Sequence, residues 1–150
     1  MKKLLVLSLV LLTFSCSKDS NSSPMATKTQ LISKTWKQTD ILASLGAGVQ
    51  TSVFNTLLTT CQQDNLWQFN SNGTYTLFEG PSRCPTSTSD VVTTGTWTFQ
   101  ENEKKISFTD AVNGTQNFTI LELTSTTMKL TGVLTYQGTP ANVTVIFTAV

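Results

Sequence analysis

Histidine is absent from this 150-residue sequence, which removes the commonest general base, the Ser-His dyad and the usual zinc ligand together. Nine carboxylates remain. Asp64 and Glu79 could act as a glycosidase-like couple only by converging in a cleft, and Asp64 reads more simply as a strand-entry or turn residue. Glu101 and Glu103 share a charged turn with Lys104 and Lys105, the pattern of a solvated hairpin. Gly46 and Gly48 lack the preceding strand and the Lys-Ser/Thr ending of a phosphate loop. Cys16, Cys61 and Cys84 show neither a CxxC nor a metal-ligand spacing. No catalytic, cofactor-binding or metal-binding constellation emerges. The side chains left to carry a function are aromatic: Trp36, Phe69, Tyr75, Trp97, Phe99, Phe108 and Tyr136.

The start of the chain carries an address. Lys2 and Lys3 precede an apolar run from Leu4 to Leu12, and Thr13-Phe14-Ser15-Cys16 follows. A basic start, an apolar stretch too short to span a bilayer and a small residue before the cut are the parts of a signal peptide, here residues 1–15. Ser15-Cys16 resembles the lipobox of bacterial lipoproteins, with Thr13 where that box usually carries Leu. The resemblance implies a diacylglycerol thioether on Cys16 and anchoring in the outer membrane, on its periplasmic or cell-surface face. Ser17-Lys18-Asp19-Ser20 is also similar to the short surface-export stretch of Bacteroidetes-type lipoproteins. Two or three acyl chains hold a protein stably at a bilayer, so the membrane is an expected partner.

Cleavage leaves about 135 residues, the size of one domain, able to bury roughly two-thirds of its unfolded surface. Loss of Lys2 and Lys3 takes the balance from 10 basic and 9 acidic groups to 8 and 9. Nothing in that balance attracts nucleic acid, and the single arginine, Arg83, makes bidentate phosphate recognition a poor reading. With Cys16 committed to lipid, Cys61 and Cys84 are the remaining pair in an exported chain, and a disulfide between them is expected, two free thiols being the alternative. Such a bond stabilises by roughly 3 kcal/mol on the entropic model.

Residues 16–30 are rich in Ser, Asn, Lys and Thr and read as a flexible tether holding the domain on the order of 20 Å from the lipid. From residue 31 to 150 the pattern is that of β-strands. The interruption is residues 47–60, where Val49, Val53, Phe54, Leu57 and Leu58 share a helical face, predicting a short amphipathic helix that plugs or covers one end of a sheet. Strands are expected at residues 33–43, 65–70, 74–79, 94–100, around Ile106 and Phe108, and at 115–124, 126–136 and 142–150. Asn72-Gly73 and Asn113-Gly114 mark tight hairpins. About eight strands joined by short turns predict an all-β, antiparallel, up-and-down barrel, closure being the way to hide both edges. A two-sheet sandwich is disfavoured because the turns are too short for Greek-key crossings.

The middle of the chain is similar to a known family. Trp36, Cys61-Gln62-Gln63-Asp64, Trp67, Phe69, Asn72-Gly73-Thr74-Tyr75, Cys84 and Gly95-Thr96-Trp97-Thr98-Phe99 resemble the lipocalin-like domains of small Bacteroidetes lipoproteins. The resemblance implies a small meander barrel, exported and lipid-anchored, with no settled ligand.

The aromatic rings named above are expected to face the interior of that barrel. Eight strands can enclose one small ligand or packed side chains alone, and so many large residues favour a filled core, with Trp67 part of it beside Phe69. The function expected is noncatalytic binding of a small apolar or amphipathic molecule, and the alternative is a surface module that binds glycan or protein through its loops.

Overall fold

A computed structural model describes residues 24–44, 49–136 and 138–150. The residues read as a signal peptide and Cys16 lie outside the described residues, as do Gly46, Ala47 and Gly48 and the side chain of Tyr136. The elements in chain order are α1 (Pro24–Ile32), β1 (Thr35–Ser44), β2 (Thr51–Ser52), α2 (Phe54–Leu57), β3 (Leu66–Phe69), β4 (Thr74–Phe78), β5 (Val91–Gln100), β6 (Lys105–Asp110), β7 (Gly114–Leu123), β8 (Thr127–Tyr136) and β9 (Thr139–Ala149).

Every neighbouring pair is antiparallel, and the sheet runs β2-β1-β3-β4-β5-β6-β7-β8-β9. Pairing of β1 with β9, from Trp36 opposite Ala149 to Ser44 opposite Asn142, closes it into the predicted eight-stranded barrel. Two-residue β2 is an extra strand. It pairs Leu42 with Ser52 and Ala43 with Thr51, along the upper half of the β1 edge whose lower half holds β3. The reason is length: β3 and β4 have four and five residues against ten in β1, so the wall is low there, and the segment before β3 fills the gap.

The connections sort to two ends. The closed end carries α1 and the β3–β4, β5–β6 and β7–β8 turns. The open end carries α2 and the β4–β5, β6–β7 and β8–β9 connections. Asn72-Gly73 makes its hairpin as predicted, with Gly73 at φ 83°, a conformation that costs glycine little. The Asn72 carboxamide oxygen accepts from the Thr74 amide at 3.1 Å and hydroxyl at 2.8 Å. The Glu101-Asn102-Glu103 turn holds three successive left-handed residues.

Two expectations are corrected. The tether assigned to residues 16–30 is helical from Pro24. Proline suits the first helical turn because it has no N–H to leave unpaired. Helix α1 plugs the closed end through Thr27 and Leu31, four apart on one face and both buried, and the Trp36 indole N–H donates to the Leu31 carbonyl at 3.0 Å. One buried residue per turn is too sparse a pattern to stand out in a polar segment. The helix read over residues 47–60 is the single turn α2. Its apolar face is real, since Val53, Phe54, Leu57 and Leu58 pack on the core, but Val49 is 90% exposed. Strand pairing by Thr51 and Ser52 and the turns around Cys61 claim the rest.

Candidate ligand cavity

Strand alternation carries one row of side chains per strand inward, and the two halves of the barrel use them differently. At the closed end the interior is full. Trp36, Phe69, Ile106 and Met128 are fully buried. Trp97 meets Phe69 edge-on at 6.0 Å and Phe99 at 5.3 Å, and its indole N–H donates to the Thr74 carbonyl at 3.0 Å. The Lys28 ammonium of α1 lies 5.9 Å from the Trp97 ring centroid.

At the open end the rows part around a cavity of about 700 Å³, within the range of small-molecule sites. The filled core expected from the number of aromatic rings therefore holds for one half of the barrel only. Of the rings singled out in the sequence, Tyr75 and Phe108 line the cavity, while Trp36, Phe69, Trp97 and Phe99 do not. Tyr136 ends β8 opposite Thr139, its side chain lying outside the described set. Trp67, read as core, belongs to the cavity wall. It stacks on Tyr75 at 5.3 Å and meets Phe147 edge-on at 5.9 Å. Phe69 touches Trp67, Tyr75, Phe108 and Trp97 and so joins the packed half to this wall. The aliphatic wall comes from Ile41, Leu130, Leu134 and Val145, and Leu57 and Leu58 border it from the α2 segment.

The polar corner centres on Asp110, a residue the sequence reading passed over. Tyr75, Gly95 and Asp110 stand opposite one another across β4, β5 and β6. A Cβ at position 95 would come within 2.6 Å of the Tyr75 ring, so the glycine lets that ring cross β5. Its hydroxyl then donates to Asp110 Oδ2 at 2.8 Å. Asp110 Oδ1 accepts from the Val112 and Asn113 amides at 2.8 and 2.7 Å, and the Asn113 side-chain amide reaches both oxygens. Burial disfavours the Asp110 charge, but these hydrogen bonds outweigh it and hold the carboxyl below its ordinary range. Burial, then the hydrogen bond to Asp110 and its negative charge, push the Tyr75 phenol far above its ordinary value, so it remains a donor. The signal available in the sequence was an Asp two and three residues ahead of the amides it binds, just before Asn113-Gly114, which is an Asx-turn pattern.

Cys61 and Cys84 are bonded, with Cα atoms 5.1 Å apart. The bridge ties the connection before β3 to the loop after β4, above the two short strands. Asp64 and Glu79 do not line the cavity. Their carboxylates accept from the Ser82 amide at 2.8 Å and the Cys84 amide at 3.2 Å, and so order that loop. Among the described residues no three metal-ligating side chains cluster, and no helix is long and apolar enough to cross a membrane.

Among solved structures, the chain is similar to bovine odorant-binding protein in complex with a selenium-containing odorant, with 13% identity, a TM-score of 0.48, and 82% of this chain and 72% of that chain covered. A deswapped triple mutant of bovine odorant-binding protein gives 14% identity, a TM-score of 0.45, and coverage of 75% and 70%. No curated protein matches the sequence. The family model for the lipocalin-like domain matches residues 32–130. That match spans more than half of the chain and runs from the end of α1 into β8, and the chain therefore belongs to the lipocalin-like domain family.

Proposed function

We propose that this protein is a lipid-anchored envelope protein whose barrel binds a small apolar or amphipathic molecule without transforming it. The observation that carries the binding reading is the cavity of about 700 Å³ walled by aromatic and aliphatic side chains at one end of a closed barrel. Burying apolar ligand surface there is favoured by roughly 25 cal/mol per Å² before the costs of association. The noncatalytic reading is supported by the sequence, which has no histidine, and by Asp64 and Glu79, whose carboxylates serve loop amides.

The binding reading is tested by thermal denaturation of the native protein with a panel of apolar and amphipathic molecules. A ligand at one hundred times its Kd is expected to stabilise by about 2.7 kcal/mol. Leu134→Trp, which places a larger ring on the cavity wall, is expected to keep the fold and weaken that response at least about tenfold in Kd. A native protein that no member of the panel stabilises would defeat the reading and favour a surface module acting through its loops.

The anchor reading rests on Ser15-Cys16 after the apolar run. Cys16→Ala is expected to abolish acyl labelling and release the protein in soluble form. Labelling that persists in the variant would count against lipidation at this residue.

A further inference from the structure

We infer that the cavity is built for a hydrophobic amine, whose apolar body lies against Trp67, Tyr75 and Phe108 and whose ammonium group meets the Asp110 carboxylate. This rests on the binding reading above and specifies its ligand. Among the described residues, Asp110 is the only charged side chain on the cavity wall; no lysine or arginine lines it. The donors that satisfy Asp110 are neutral: the Tyr75 hydroxyl, the Val112 and Asn113 amides and the Asn113 side chain. It takes part in none of the ion pairs Arg83–Asp90, Lys105–Glu101 and Lys129–Glu122. The negative charge is therefore held in place and, among the described residues, not neutralised.

The Tyr75 hydroxyl beside that carboxylate points the same way. The Tyr75 hydroxyl spends its hydrogen on Asp110, and the Gln116 amide donates to the Asn113 carbonyl at 2.9 Å. The hydroxyl therefore offers a ligand only oxygen lone pairs, while Gln116 keeps its carbonyl oxygen together with one amide hydrogen. A ligand that brings hydrogens and positive charge is matched there, and one that brings a carboxylate meets like charge. Aromatic faces add to this preference, because their quadrupoles attract cations. Gln38, half-way round the barrel on β1, is a neutral amide and supplies a hydrogen bond without regard to charge.

The wider charge distribution agrees. All lysines among the described residues, from Lys28 to Lys129, lie in the closed-end half, whereas Asp64, Glu79 and Asp90 sit in the connections of the open end, with Arg83 paired to Asp90. The field at the mouth thus draws cations in.

The test compares three probes of one shape, naphthylethylamine, naphthylethanol and naphthylacetate, by calorimetry on the purified protein at neutral pH. In low salt the amine is expected to bind about tenfold more tightly than the alcohol, and the carboxylate more weakly than the alcohol. High salt should narrow the gap between amine and alcohol without weakening the alcohol, since Asp110 lies near the mouth. Asp110→Asn should remove the amine preference while the alcohol still binds. The salt series on the unaltered protein gives the answer independently should that variant fold poorly. Equal binding of amine and alcohol, or tightest binding of the carboxylate, overturns the amine inference and leaves the binding reading intact. Failure of all three probes to bind overturns both.

Discussion

Trp36→Ala is expected to lower the stability of the domain by about 3–5 kcal/mol, the usual loss when a fully buried large aromatic is truncated. Two further consequences separate this site from an ordinary core position. The indole N–H holds the Leu31 carbonyl, so its removal leaves a buried acceptor unpaired at the end of α1, which adds to the packing loss. Trp36 also stands opposite both Trp67 on β3 and Ala149 on β9, where the barrel closes. The variant should therefore free α1 before the barrel unfolds, making the chain cleavable by trypsin after Lys28 under native conditions. Trp36→Phe, which keeps most of the ring volume but not the donor, should lose less than the alanine variant and still loosen the helix. An apolar ligand should not rescue either variant, because Trp36 does not line the cavity. A loss under about 1 kcal/mol with Lys28 still protected would show that α1 is not a plug.

The second large effect belongs to the Cys61–Cys84 bond. It closes a loop with a sequence separation of 23, and removing it, by reduction or as Cys61→Ala with Cys84→Ala, is expected to cost about 3 kcal/mol, chiefly by releasing the unfolded chain. The native state should respond locally as well. The bridge joins the two connections that stand above the short strands β3 and β4, so the mouth of the cavity loses its tie there, and faster amide exchange is expected in residues 59–64 and 79–90 than in β8 or β9. Denaturant titration with and without reductant reads the first effect and hydrogen exchange the second. Coincident denaturation curves would mean that the Glu79, Asp64 and Asn65 hydrogen bonds to residues 80–84 already fix this loop.

Much of the barrel was legible in the residues themselves. Period-two alternation in Trp97 and Phe99, and in Met128, Leu130 and Leu134, marks strands because successive side chains point to opposite faces of a pleated sheet. Asn72-Gly73 and Asn113-Gly114 mark their turns because few residue types accept a positive φ. Closure followed from short antiparallel connections, and the pairing of Cys61 with Cys84 from reading the chain as exported and counting its cysteines. These features are local or depend on simple counting.

Height within the barrel was not local. Trp36, Trp97, Tyr75 and Phe108 obey the same alternation, yet the first two pack the closed end and the last two line a cavity. Which fate a ring meets depends on how far along its strand it sits relative to strands distant in sequence, and on α1 filling one end while short strands leave the other low. The same holds for Asp110. Its carboxylate acquires its meaning only when β4, β5 and β6 align Tyr75, Gly95 and Asp110 in one row, with a glycine in the middle so that one ring can reach across. Sequence patterning determines which face a side chain takes, because the backbone repeat sets it. Tertiary register decides what it meets there, because that contact is made between residues the chain brings together only by folding.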